Sequence, residues 1–90
     1  MPNLPKGLYT CDPRQRIFPQ SWKQAYFRMN FNDELGGYIC PGCKNSFGGH
    51  EGFVQLEGDR ICPFSSGGLT RWANLQLLCT RCHLKKGYQV

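Results

Sequence analysis

The stretch Asn74-Leu-Gln-Leu-Leu-Cys79-Thr-Arg-Cys82-His83-Leu-Lys-Lys86 decides how the rest of this chain is read. Asn74 to Leu78 reads as a strand with Leu75 and Leu77 turned inward. Thr80 to Lys86 then forms a short helix, stopped by Gly87. Cys79 and Cys82 sit where the pattern changes, and the two residues between them let both sulfurs reach one ion from a tight knuckle. A matching pair lies upstream, Cys40-Pro-Gly-Cys43, in which Pro presets φ and Gly tolerates positive φ. Two such knuckles supply the four ligands of a closed tetrahedral site, and thiolates suit zinc where hard cations prefer oxygen. A structural Zn²⁺ on Cys40, Cys43, Cys79 and Cys82 is the expectation.

Two other uses of these cysteines compete with the zinc reading. Two disulfides would need an oxidising compartment, and the chain shows no basic, apolar leader for secretion, so a cytoplasmic protein with reduced thiols is expected. Cys79 to His83 also spells C-x-x-C-H, the haem attachment pattern, but that reading leaves Cys40 and Cys43 without a role. Cys11 and Cys62 stand outside the pairs and read as small buried apolar residues.

Ninety residues make one domain whose hydrophobic core alone would leave it marginal, and a metal staple answers that. Eleven Gly and six Pro imply many turns, so the expected class is α+β, compact and loop-rich. Eleven Lys and Arg against six Asp and Glu give a formal charge of +5, which favours a polyanion such as nucleic acid as partner. No apolar run approaches the roughly 20 residues of a membrane span.

Residues 1–20 hold Pro2, Pro5, Pro13 and Pro19 among Lys6, Arg14 and Arg16, and read as an extended N-terminal arm; residues 21–90 form the single domain. Ser21 to Met29 is the clearest helix, with Ser21 and Gln24 as a capping box and Trp22, Ala25, Tyr26 and Met29 as its core stripe. Asn30 to Gly37 ends it, and Tyr38 and Ile39 form a short strand into the first knuckle. Phe47 to Gly52 reads as turn. It leads into a strand from Phe53 to Asp59, where Val54 and Leu56 alternate with Gln55, Glu57 and Asp59. Cys62 to Ala73 is a loop of about a dozen residues, a length at which loops are often functional.

Taken together, Cys40-x-x-Cys43, Leu56-Glu-Gly-Asp59, Ile61-Cys-Pro63, Gly67-Gly68, Asn74-Leu-Gln-Leu-Leu-Cys79, Cys82-His83 and Lys86-Gly87 closely resemble an HNH endonuclease domain over about residues 36–87. The resemblance implies a zinc-stapled ββα-metal finger preceded by a helix, acting on double-stranded DNA by metal-dependent hydrolysis of phosphodiester bonds. It implies that Asp59 and His83 hold a catalytic Mg²⁺ or other divalent cation, one carboxylate and one imidazole leaving most positions open for water and phosphate. Read without the family, His83 is an alternative zinc ligand in place of a cysteine, although four cysteines already close that site. Asn74 matches the asparagine that fixes the loop beside the catalytic base, as an amide that both donates and accepts can do; the plain alternative is a polar strand-start residue.

Arg60 departs from the family, which places its general-base histidine directly after the metal-binding aspartate. A guanidinium holds its proton and cannot be that base, though it can hold a phosphate oxygen or stabilise transition-state charge. The other histidine, His50, sits in the Gly-rich turn, as a surface residue or one free to swing toward the site. Lys86, three residues after His83 on one helical side, is the expected phosphate contact near the metal, with Arg71, Arg81 and Lys85 as further nucleic-acid contacts. Two functions follow: an HNH nuclease weakened at its base position, or a catalytically silent zinc module that binds DNA.

Overall fold

The computed structural model describes residues 4–86. Along the chain come α1 (Gln20–Met29), β1 (Phe31–Asn32), β2 (Gly37–Ile39), β3 (Ser46–Phe47), α2 (Gly49–Val54), β4 (Leu56–Arg60), β5 (Leu75–Cys79) and α3 (Thr80–Lys86), an α+β arrangement. β1, β2 and β3 form one antiparallel sheet in that order, and β4 pairs antiparallel with β5. Among the described residues, no helix is long and apolar enough to cross a membrane.

The β4–β5 register sets Leu56 opposite Cys79, Gly58 opposite Leu77 and Arg60 opposite Leu75, so these residues share one face. That face meets the core built from Phe18, Trp22 and Tyr38. Asp59 and Gln76 pair on the other face, and α3 lies over them. Strand, loop, strand and helix thus follow in the order that the sequence implied. Gly87, the expected helix stop, lies outside the described residues.

Tyr38 ties the two sheets together. Its hydroxyl donates to Leu77 O at 2.7 Å and accepts from Leu77 N at 3.3 Å, doing at one residue what a neighbouring strand would do. Burial, followed by the nearby Tyr26, pushes the Tyr38 phenol up, so it keeps the proton it donates.

Several local expectations are corrected. α1 begins at Gln20 with Pro19 as its N-cap and has no side-chain cap hydrogen bond, so Ser21 and Gln24 do not form a capping box. Pro19 O instead accepts from Trp22 N and Lys23 N. Trp22 and Ala25 are buried, but Met29 is 62 % exposed because the last turn runs past the core. The Gly-rich stretch expected as turn supplies β3 and α2. Each helical Gly costs about 1 kcal/mol against Ala. Packing of Phe53 on Phe27, with ring centroids 5.2 Å apart, offsets that cost. β4 therefore starts at Leu56 rather than Phe53 and continues through Arg60, leaving Val54 exposed at the end of α2.

Residues 4–19 hold no helix or strand, yet they lie against the domain. Leu4, Leu8 and Cys11 pack on the core, Phe18 is part of it, and Trp22 Nε1 donates to Tyr9 O at 2.9 Å. Thr70 N donates to Pro13 O at 2.7 Å. This clasp brings the segment beside the loop between β4 and β5.

Candidate functional site

The first cysteine pair leaves β2, and the second spans the junction of β5 and α3. Their four sulfurs all lie within 4.8 Å of one another. Backbone amides point at the sulfurs: Cys79 N donates to Cys40 Sγ at 3.4 Å and Cys82 N to Cys79 Sγ at 3.5 Å. Such donors favour thiolate over thiol. Burial raises the Cys40 thiol, but amides from Cys79, Cys43 and Gly42 outweigh it and bring it down to about 7. Cys82 is pushed up to about 12, first by its contact with the Cys79 thiol. The four cysteines are positioned to bind one metal ion.

Gly42 serves this cluster through close approach rather than positive φ. A Cβ there would fall 2.8 Å from Cys82 Sγ. The left-handed residue of the knuckle is instead Lys44, at φ 65°, whose N–H donates to Cys40 O at 2.8 Å.

Asp59 is the centre of a second cluster. Its carboxylate is buried, with the side chain 8 % exposed, between β4 and α3. Gln76 Nε2 donates to Asp59 Oδ2 at 2.9 Å from the position directly opposite on β5. Lys86 Nζ donates to the same oxygen at 2.6 Å and to Arg60 O at 2.7 Å. His83, one turn earlier on α3, sets Nδ1 3.3 Å from Asp59 Oδ1. That nitrogen is buried and has no hydrogen-bond partner among the described residues. Gln76 was missed in the sequence because only the strand register puts it opposite Asp59. The Lys86 contact was half-visible, since Lys86 shares a helical side with His83, but nothing in the spacing aimed it at the carboxylate.

Arg60 points the other way. Its Nη2 donates to Gln15 O at 2.8 Å, to Arg16 O at 2.7 Å and to Thr70 Oγ1. The rings of Phe18 and Phe64 flank the guanidinium, each centroid 5.2 Å away. Burial, then the neighbouring Arg16, pulls its pKa down, partly offset by Asp59.

Asn74 spans the loop. It accepts from Cys62 N at 2.7 Å, and its amide donates to Cys62 O at 3.1 Å and to Leu69 O at 2.9 Å. The backbone is drawn in so tightly that a Cβ on Gly68 would lie 1.8 Å from Cys62 O, so only Gly fits there. Short 3-10 turns over Phe64–Ser66 and Trp72–Asn74 fill the rest. Cys62 is exposed, against the expectation of a buried residue, whereas Cys11 is half-buried against the core.

The remaining residues lie apart from this cluster. Arg71, Arg81 and Lys85 are exposed, Arg81 and Lys85 on α3 and Arg71 at the end of the loop. His50 is exposed in α2, lining a hollow of about 530 Å³ with Gln20, Gln24 and Phe27.

No curated protein and no solved structure matches the chain. The family model for HNH endonucleases matches residues 40–89, a span that takes in both cysteine pairs, Asp59, Asn74 and His83. With more than half of its length matched, the chain belongs to the HNH endonuclease family.

Proposed function

We propose that this domain is a metal-dependent DNA endonuclease that hydrolyses phosphodiester bonds in double-stranded DNA, with a structural zinc on the four cysteines and Mg²⁺ or another divalent cation held by Asp59 and His83. One observation supports the second metal above all: a buried imidazole nitrogen without a hydrogen-bond partner among the described residues faces a buried carboxylate oxygen at 3.3 Å. An orphaned buried polar atom is costly unless something else satisfies it, and this donor pair suits a divalent cation. The four-thiolate set suits zinc.

When bound, the divalent cation supplies charge neutralisation at the scissile phosphate and the leaving oxygen. Gln76 orients the Asp59 carboxylate through Oδ2, leaving Oδ1 turned toward His83. Asn74 holds the Cys62 to Leu69 loop at the edge of the site. The exposed cations Arg71, Arg81 and Lys85 meet backbone phosphates, which set position rather than sequence. Arg60 offers no general base, and its Nη2 is engaged by Gln15, Arg16 and Thr70. A positioned base contributes about 10²- to 10⁴-fold, so cleavage is slow.

The same feature of Arg60 favours a second reading, a catalytically silent zinc module that keeps the fold and binds DNA. Plasmid nicking with Mg²⁺ or Mn²⁺, run beside Asp59→Ala, separates the two. The nuclease reading expects slow nicking that Asp59→Ala abolishes. DNA binding without cleavage above that background would favour the silent module.

A further inference from the structure

We propose that Lys86 is a built-in competitor for the divalent cation, holding Asp59 with its ammonium until a phosphate draws it away. The inference rests on the metal reading of Asp59 and His83 given above. The Lys86 ammonium lies 2.6 Å from Asp59 Oδ2 and 2.7 Å from Arg60 O, two acceptors beside the site. The Asp59 side chain is only 8 % exposed, and a buried carboxylate needs a counter-charge. Lys86 supplies one. A dication shared by Asp59 Oδ1 and His83 Nδ1 would lie within a few ångströms of that ammonium, where like charges repel strongly in a partly desolvated site. Metal binding therefore carries the cost of either tolerating Lys86 or moving it off the carboxylate.

Lys86 has somewhere to go. It lies near the C-terminal end of α3, its side chain is 25 % exposed, and its four-carbon stem is flexible. A DNA phosphate brought to the site offers the ammonium a new anionic partner, so substrate and metal help each other bind and the coupling is reciprocal. The domain alone then holds the cation weakly, and substrate relieves the competition.

The test measures Mn²⁺ affinity by isothermal titration and by electron paramagnetic resonance on zinc-loaded protein without DNA. Lys86→Met and Lys86→Gln remove the charge with two different side chains, so failure of one to fold leaves the other informative. Both should bind Mn²⁺ at least about ten-fold tighter than the wild type. Lys86→Arg, which keeps the charge, should stay near wild-type affinity. Adding Asp59→Asn to either neutral variant should abolish the site. Unchanged or weaker Mn²⁺ binding in both neutral variants, still lost with Asp59→Asn, overturns the competition while leaving the metal reading intact. Absence of Mn²⁺ binding in all variants, or binding indifferent to Asp59→Asn, overturns the metal reading and this inference with it.

Discussion

Replacing Arg60 with Met keeps an apolar stem beside Phe18 and removes the guanidinium that holds the N-terminal segment. Arg60 Nη2 has three acceptors, Gln15 O, Arg16 O and Thr70 Oγ1. One nitrogen carries two hydrogens, so the loss equals at most two full charge-assisted hydrogen bonds, about 1.5–3 kcal/mol each. The Arg16 contact is exposed and screened, which lowers its share. The flanking Phe18 and Phe64 rings add about 0.5–1 kcal/mol of cation–π attraction. The sum, discounted for exposure, puts the expected destabilisation at about 2–4 kcal/mol, a large part of the roughly 5–15 kcal/mol typical of a domain. Urea unfolding of zinc-loaded protein measures it globally. Trypsin measures it locally, because Arg14 and Arg16 lie in the segment that Arg60 holds, and 2 kcal/mol of easier opening speeds cleavage there by roughly thirty-fold. A change under about 0.5 kcal/mol with unaltered trypsin cleavage would refute the clasp. Arg60→His is expected to lose the same ties and, because position 60 faces away from Asp59, to leave plasmid nicking near its slow starting rate; a rise of about ten-fold or more would show that the imidazole reaches the site as a proton acceptor near neutral pH. Slower nicking by a folded Arg60→His protein would show instead that the guanidinium acts on transition-state charge.

Cys43→Ala should unfold the domain, because metal binding in so small a fold is largely folding free energy; elemental analysis finding no zinc in well-folded wild-type protein would contradict this. Metal affinity should fall as pH drops, because the Cys82 thiol, pushed up to about 12, gives up a proton on binding, and should fall more steeply below about 7, where Cys40 is protonated as well; a zinc titration across pH checks the sign. Tyr38→Phe leaves Leu77 N and Leu77 O without their hydroxyl partner and should cost about 2–4 kcal/mol in urea unfolding, whereas a loss under 0.5 kcal/mol would mean that water takes its place. DNA affinity should weaken steeply with salt, and Arg81→Ala should lower it alike for all sequences; binding that ignores salt between low and physiological ionic strength would remove the electrostatic basis.

The sequence by itself determined the parts whose cause is local. Cys40, Cys43, Cys79 and Cys82 announce a shared metal because x₂ spacing fixes the reach of two sulfurs. The strand–helix junction at Cys79 is written in the change of period from the leucines of β5 to α3. The family motifs, read in order, named Asp59, Asn74 and His83 together. Tertiary structure decided what depends on partners far along the chain. α2 forms in a Gly-rich stretch because Phe53 finds Phe27, a contact outside any local window. Asp59 meets Gln76 only through the strand register, and Lys86 only because α3 folds back over β4. Sequence shows that Arg60 cannot be a base, since that follows from its chemistry alone. Its hold on Gln15 and Arg16, 45 and 44 residues away in sequence, exists only because folding brings a segment without helix or strand to the face opposite Asp59.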